Sequence, residues 1–351
     1  GSKPVIVKAP GLVAPDFTWE TVTQMDFGFD ASFLNNRLTG TFDWYRRNTK
    51  DMLVAGATLP ATLGASVPKS NSADMKTIGW ELSLGWNDRL ENGFSYWVKG
   101  VLSDYQATIT KYAGNDAGFY SQSDDDGKYY VGQKIGEIWG YHSNGLFQSD
   151  DEAATIDQSE LYAGKWGAGD VKYEDLDNDG KITKGEETIY NPGDKSIIGN
   201  KTPRYQFGIT VGFDYKNFDF EMFWQGTGKR DYMLSGAQFW GFTSQWDVPY
   251  TPALDYWTET NTDAYFPRPG WQNGGNRVTS DRYLQSAAYG RLKNLTVGYT
   301  IPKNLTTKWG ISRLRLYVTG ENLLTITPLN DAFDPETLGG MTYPILSLIH
   351  I

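Results

Sequence analysis

Hydrophobic and polar residues alternate along much of this chain with a period of two. Between Gln24 and Phe33, the odd-numbered positions are apolar or aromatic and the even-numbered positions are polar or glycine. Successive side chains of a β-strand point to opposite faces, so this pattern predicts a strand with one apolar and one polar face. Together with further alternating segments, it predicts about nine antiparallel strands joined as hairpins. Those further segments are 38–44, 80–86, 94–102, 207–215, 218–224, 295–301 and 314–318.

The connections between these strands alternate between short and long, in the order 34–36, 48–76, 87–92, 105–203, 216–217, 229–280, 302–312 and 325–341. Bacterial outer-membrane barrels have tight periplasmic turns on one rim and long extracellular loops on the other. The predicted fold class is therefore all-β, an antiparallel transmembrane β-barrel with long extracellular loops. An odd number of strands does not close such a barrel, so residues 1–351 are expected to be a fragment of a larger one.

A soluble β-sandwich or β-propeller would show the same alternation of apolar and polar residues. Neither fold explains why short and long connections take turns, and long loops without their own core are uncommon in compact soluble domains. The sequence also has no repeat of the length of a propeller blade. The membrane barrel is therefore the preferred interpretation.

The composition agrees with a barrel. The chain has 13 Trp, 22 Tyr and 17 Phe but a low mean hydropathy, and it has no apolar run long enough for a transmembrane helix. It has no cysteine, which excludes a disulfide framework and a thiolate site. Aromatic residues near strand ends suit the two interfacial girdles of a barrel, namely Trp44, Tyr45, Trp86, Tyr215 and Trp224.

The negative charge of the chain is concentrated in one connection. Of a formal net charge of −10, residues 105–203 contribute nearly all, since they carry 18 acidic and 9 basic side chains. A nucleic-acid partner is not expected, because phosphate binding requires a basic patch. The opening Gly1-Ser2-Lys3-Pro4 shows no secretory signal pattern, so an exported protein would need additional sequence upstream.

Specific motifs follow one another along the chain: FTWETVTQMDFGFD (17–30), FLNNRLTGTFDW (33–44), TKDML (49–53), VGQKIGEIWGYHSNGLFQ (131–148), GDVKYEDLDNDGKIT (169–183), GNKTPRYQFG (199–208), YGRLKNLTVGYTIP (289–302), LRLYVTGENLLT (314–325) and FDPE (333–336). This ordered set resembles the SusC/RagA family of TonB-dependent outer-membrane transporters and covers most of the chain. The resemblance implies the C-terminal part of a plugged barrel of about 22 strands. It also implies the outer membrane of a Gram-negative, Bacteroidetes-like bacterium, with contact to outer-membrane lipid.

The resemblance further implies active import of an oligosaccharide or peptide, with a SusD-like surface lipoprotein as partner and TonB as the source of energy. The plug domain and the TonB-contacting segment are not in this sequence, so TonB would act through the missing N-terminal region. After Tyr343-Pro344 the chain also lacks the family's usual terminal aromatic residue, and we assign no function to this tail. A passive porin or a surface adhesin on the same barrel is the alternative, and the substrate itself cannot be derived from the sequence.

The long connection 105–203 contains a calcium-loop motif at 175–186. Its spacing fits D-x-D-x-D-G-x5-E, in which Gly180 permits the sharp turn. Calcium prefers six to eight oxygen ligands, and we predict a structural Ca²⁺ in an EF-hand-like or dockerin-like loop. The alternative is a solvated acidic turn. The predicted ligands are the carboxylates of Asp175, Asp177, Asp179 and Glu186, the carbonyl of Lys181, and the hydroxyl of Thr183 or a water beside it.

Aromatic residues are dense between positions 232 and 271. They could contact substrate or partner, for which Trp240, Trp246, Trp257 and Trp271 are the candidates, or they could form the loop's own small core. Enzyme activity is not expected. His142 and His350 are the only histidines, and the sequence suggests no Ser/His/Asp arrangement. A second acidic cluster, Asp124-Asp125-Asp126, lacks metal-ligand spacing and is expected to be a solvated loop tip.

Overall fold

The computed structural model describes residues 17–55, 68–120, 129–338 and 348–350, and β-strands dominate these ranges. The strands are β1 (Thr21–Phe33), β2 (Leu38–Ala55), β3 (Lys69–Arg89), β4 (Ser95–Tyr112), β5 (Glu137–Tyr141), β6 (Ser143–Leu146), β7 (Val171–Tyr173), β8 (Lys195–Asn200), β9 (Arg204–Tyr215), β10 (Phe218–Lys229), β11 (Asp231–Met233), β12 (Leu284–Ser286), β13 (Tyr289–Thr300), β14 (Arg315–Ile326) and β15 (Leu348–His350). Short α-helices are α1 (Asp150–Ala153), α2 (Ala237–Trp240) and α3 (Lys303–Thr306), and 3-10 turns cover Thr251–Leu254, Gly274–Arg277 and Thr307–Trp309.

One large sheet organises the fold. Its nine strands are ordered β1-β2-β3-β4-β9-β10-β13-β14-β15, and every neighbouring pair is antiparallel. The predicted strand number, the antiparallel pairing and the all-β class are confirmed. In the described parts of the chain, no helix is long and apolar enough to cross a membrane.

The register of the sheet brings the apolar positions of neighbouring strands into continuous rows. One row runs through Phe29, Phe42, Leu82, Leu102 and Phe207. A second row, closer to the short turns, runs through Tyr96, Phe213, Phe220, Val297 and Val318. We call this face the apolar belt. Such a belt is the surface that a barrel presents to lipid.

The opposite face of the same strands is polar. At the level of the first apolar row, it carries Gly28, Asp43, Glu81, Ser103 and Gln206, again in register across five strands. A one-residue slip would exchange the two faces, so the side-chain pattern strongly specifies this register.

Aromatic side chains cluster at the short-turn end of the apolar belt. Phe213 stacks on Phe94 and Phe220, with ring centroids 5.5 Å and 5.1 Å away. Trp86 donates from its indole nitrogen to the Tyr96 hydroxyl at 3.1 Å. Offset aromatic pairs of this kind add stability beyond the area they bury. The arrangement matches an interfacial girdle on this rim.

Two local expectations need correction. The connection expected at 48–76 is partly strand, because β2 continues to Ala55 and β3 begins at Lys69. Tyr45 does not belong to a lipid-facing girdle. It follows Trp44 along β2, so its side chain lies on the polar face. There its ring packs over Gly79, its partner on β3, in space that a larger side chain at that position would fill. The acidic cluster at 124–126 and the Tyr343-Pro344 segment lie outside the described residues.

Three of the long connections pack together as one unit. We call it the loop body, and it comprises the described parts of 113–203, 230–288 and 327–338. Its core is aromatic and draws on all three connections; the buried members are Tyr141, Leu146, Val171, Tyr173, Ile182, Leu234, Phe239, Trp240, Phe266, Tyr283, Ala287 and Leu329. These connections therefore have their own hydrophobic core and are not independent flexible loops.

Candidate binding regions of the loop body

The acidic segment at 175–186 forms the sharp turn that its sequence predicts. The Asp175 carboxylate accepts hydrogen bonds from the backbone N–H groups of Gly180, at 2.7 Å, and of Asp179, at 3.2 Å. Asn178 and Gly180 have positive φ values of 61° and 83°, the left-handed region that Asn and Gly adopt most readily. The backbone thereby wraps around the first carboxylate of the motif.

Asp194, which lies outside the motif, supplies a third carboxylate next to Asp175 and Asp177. Asp194 is only 1% exposed and accepts from the N–H groups of Leu176, at 2.8 Å, and Thr183, at 2.7 Å. Carboxylate oxygens of Asp175, Asp177 and Asp194 all lie within 4.8 Å of one another. The sequence signal for Asp194 is weak: a Pro192-Gly193 turn brings the chain back beside the loop.

The other predicted ligands occupy different places. Asp179 accepts a hydrogen bond from the Lys181 N–H at 2.8 Å, and Thr183 contacts Asp194 through its backbone N–H. Glu186 is exposed and is not a member of the three-carboxylate group. Of the predicted ligands, the structure thus brings together the carboxylates of Asp175 and Asp177, and it adds Asp194, which the motif does not include.

The pKa values of the two clustered aspartates on the loop are shifted in opposite directions. Burial opposes ionisation of Asp175, but hydrogen bonds from Gly180, Asn178 and Asp179 outweigh it and hold its pKa below the ordinary value. Burial and the negative charges of Asp179 and Asp194 raise the pKa of Asp177. Three convergent carboxylates, one with a raised pKa, form a donor set that suits a hard divalent cation such as calcium.

The four candidate tryptophans divide between the core and the surface of the loop body. Trp240 is only 8% exposed and packs edge-on against Tyr283, with ring centroids 4.5 Å apart. Trp257 is half-buried against Gly169, whose missing Cβ leaves room for the indole ring. Trp246, at 83% exposed, and Trp271, at 47%, lie on the surface and are accessible to a ligand.

Asp170 connects two of the long connections inside the loop body. It is buried and accepts from Arg268 Nη2 at 2.9 Å, Asn276 Nδ2 at 2.8 Å and the Gly167 N–H at 2.9 Å. All the acceptor capacity of this carboxylate is directed at partners within the protein. Asp170 therefore stabilises the loop body and is not available to a ligand.

His142 forms a hydrogen-bonded chain that sequence reasoning did not anticipate. Its Nδ1 lies 2.8 Å from Asp281 Oδ2, and its Nε2 lies 2.7 Å from Ser196 Oγ. The sequence suggested no Ser/His/Asp arrangement, and the structure nevertheless brings these three residue types into contact. These residues lie on three separate segments of the loop body, and the second Asp281 oxygen accepts from the Ser143 N–H at 2.8 Å. The chain of contacts ties the segments together.

A half-open recess of about 290 Å³ lies on the polar face of the large sheet. Thr41, Asp43, Glu81, Ser103 and Gln206 contribute its polar lining. Hydroxyl, carboxylate and amide groups of this kind can hydrogen-bond a polar solute.

The match to known proteins covers nearly all of the chain. Residues 7–323 match the family model described as TonB dependent receptor-like, beta-barrel. The chain belongs to this family. TonB-dependent receptors are transporters and receptors, and this chain is not an enzyme.

Curated relatives and solved structures agree with this family assignment. TonB-dependent receptor P3 of Formosa agariphila is 31% identical over 345 residues, which are 93% of this chain and 32% of the relative. TonB-dependent receptor SusC of Bacteroides thetaiotaomicron is 25% identical over 95% of this chain and 31% of its own length. The RagAB peptide transporter structure matches with a TM-score of 0.70 at 22% identity, over 92% of this chain and 33% of that chain.

The chain thus spans about a third of the length of the relatives it matches. The resemblance to SusC/RagA transporters is confirmed, and so is the prediction of a TonB-dependent β-barrel.

Proposed function

We propose that the protein containing this chain imports an oligosaccharide or a peptide across the outer membrane of a Gram-negative, Bacteroidetes-like bacterium. TonB would supply the energy, acting on a part of the protein outside this sequence. The observation that carries the proposal is the nine-stranded antiparallel wall with an apolar belt on one face and polar residues on the other. A wall of this kind faces lipid on one side and an aqueous lumen on the other.

Two regions support a role in handling polar solutes. The polar face carries the recess lined by Asp43, Glu81 and Gln206. The loop body presents Trp246 and Trp271, whose exposed rings can stack on sugars or pack against peptide side chains. RagAB is by its name a peptide transporter, which keeps peptides beside oligosaccharides as the proposed cargo.

We also propose a SusD-like surface lipoprotein as the partner of the loop body. Trp246, Val248, Tyr250 and Leu254 are exposed within nine residues, and exposed apolar patches usually mark interaction sites. Contacts are proposed for the described parts of 105–203 and 229–280. Affinity purification of the tagged, full-length protein from its native membrane in mild detergent should recover such a lipoprotein in near-equal amounts. Purification of the receptor alone would count against the partner.

Calcium binding at 175–186 is a further part of this proposal. The motif spacing and the convergence of Asp175, Asp177 and Asp194 support it. The ion would be structural, since it would neutralise carboxylates that otherwise repel one another and would hold the acidic part of the loop body in place.

A passive porin or a surface adhesin on the same barrel is the alternative. Cell fractionation tests the part that both share: the full-length protein should be found in the outer membrane and should migrate faster on gels before boiling than after. Recovery as a soluble periplasmic protein would reject both. Dependence of uptake on TonB distinguishes the active importer from the porin and the adhesin.

A further inference from the structure

The short connections of the large sheet have a charge opposite to that of the chain. Taken together, 34–37, 90–94, 216–217 and 301–314 contain five cations and one carboxylate: Arg37, Lys216, Lys303, Lys308, Arg313 and Glu91. Arg37 is paired with Asp88 at the end of β3, at 3.3 Å, so within the described residues the uncompensated cations are Lys216 and the three of 301–314. The whole chain has a net charge of −10, concentrated in the long connection 105–203. Charge is therefore sorted between the two rims, with the short-turn rim positive and the loop body negative.

The same rim exposes large apolar side chains. Leu34, Leu90 and Phe218 are each about half exposed at or beside a tight turn, and Trp309 is 60% exposed on the longest of these connections. The 301–314 connection has a defined structure: Thr306 is fully buried, and its carbonyl accepts from the Ile311 N–H at 3.0 Å. Trp309 is therefore presented by an ordered turn, between Lys308 and Arg313 in sequence.

These exposed residues continue the apolar belt. Leu34 directly follows Phe33, the last residue of β1. Phe218, at the start of β10, packs against Tyr299 near the end of β13, with ring centroids 4.7 Å apart. Apolar surface thus runs from the belt to the short-turn rim, where the cations are found.

We propose that the short-turn rim is a membrane-interface anchor for anionic phospholipid. Trp309 and the leucines would enter the headgroup region, while Lys303, Lys308 and Arg313 would bind lipid phosphates. Tryptophan favours the membrane interface, and each cation near an anionic surface gives roughly a fivefold preference. The inference rests on the proposed function, because it requires the belt to span a membrane with this rim at the periplasmic leaflet.

A spin label at position 309 tests the anchor. The chain has no cysteine, so Trp309→Cys in an otherwise cysteine-free, full-length protein gives a single labelling site. The protein is reconstituted in phosphatidylethanolamine vesicles with or without phosphatidylglycerol. We expect the label to be accessible to oxygen and shielded from a water-soluble nickel chelate, and to move deeper when phosphatidylglycerol is present.

Charge variants test the lipid preference. A triple variant, with Lys303→Gln, Lys308→Gln and Arg313→Gln combined, should abolish the phosphatidylglycerol-dependent change in label depth. The single variant Lys308→Gln should weaken that change. The matched control is a second triple variant, which changes three exposed lysines outside this rim: Lys111→Gln, Lys134→Gln and Lys229→Gln. It should leave the phosphatidylglycerol-dependent change in label depth intact. Three results would overturn the anchor. The label could be accessible to the nickel chelate, it could be shielded from both reagents by protein, or its depth could be independent of phosphatidylglycerol. If the same protein still migrates faster on gels before boiling than after, these results would reject the anchor without contradicting the proposed barrel.

Discussion

Arg291 donates a hydrogen bond from Nη2 to Asp334 Oδ1 at 2.9 Å, between residues that are 43 positions apart in the chain. The guanidinium is almost fully buried, and it also donates to Thr325 Oγ1 at 2.8 Å and to Glu336. Lys293 donates to the same glutamate at 3.2 Å. Two cations and two carboxylates therefore fasten the end of the loop body to the polar side of the β13–β14 wall.

Replacement of Arg291 should release this connection. Arg291→Met removes the ion-pair partner of Asp334 and leaves Glu336 paired with Lys293. Loss of one partner from a buried ion pair typically costs about 3–5 kcal/mol. We expect faster hydrogen exchange across 327–338 in the full-length protein. Lys293→Met is the control and should have a smaller effect, because that lysine is more exposed. Unchanged exchange in the Arg291 variant would show that the ion cluster does not hold the segment.

Asp170→Asn should loosen the contact between two long connections. The substitution removes the buried charge that faces Arg268, a guanidinium that is itself 42% exposed, and we expect destabilisation of about 1–3 kcal/mol. Limited proteolysis on intact cells should then cut 230–288 sooner. Asp150→Asn, which breaks an exposed pair with Lys165, is the matched control and should leave the cleavage rate unchanged. Equal rates in both variants would refute the proposed role of Asp170.

Calcium binding should depend more on Asp194 than on Glu186. Asp194→Asn is expected to reduce affinity roughly tenfold or more, because ligand charge tunes calcium affinity, while Glu186→Gln should have little effect. Isothermal titration on the full-length protein measures both. A larger loss from Glu186→Gln would restore the predicted EF-hand ligand set, and no calcium binding by the unmodified protein would remove the site.

Calcium affinity should fall as the pH is lowered. The pKa of Asp177 is raised, chiefly by burial and then by the nearby negative charges, so it takes up a proton at higher pH than an ordinary aspartate. Its ionisation destabilises the metal-free loop at neutral pH, and that penalty disappears as the pH falls through the raised pKa. Calcium needs the ionised form, so binding at mildly acidic pH should release protons. Titration in buffers of different ionisation enthalpy would detect this release, and its absence would contradict the linkage.

Alternation of apolar and polar residues was sufficient to predict the wall, because its period of two fixes which residues share a face. Phe29 and Phe42 could therefore be assigned to one face before the structure was known. The loop body has no such period. Trp240 and Trp246 are only six positions apart, yet one belongs to the core and the other to the surface, since tertiary packing alone decides which ring is covered.

Long-range contacts explain what the motifs missed. The aspartate repeat at 175–179 correctly predicted a sharp turn, because those residues form it among themselves. Asp194 reaches the site only after the chain returns through Pro192-Gly193. His142 and Asp281 meet across 139 positions, a separation at which no local pattern indicates contact.

Uptake in living cells tests the central claim most directly. A strain lacking the full-length protein should lose uptake of at least one compound from a panel of labelled oligosaccharides and peptides. The intact gene should restore that uptake, but only in cells with functional TonB. Restored uptake without TonB would identify a passive channel, and unchanged uptake of every compound in the deletion strain would contradict the assignment as an importer.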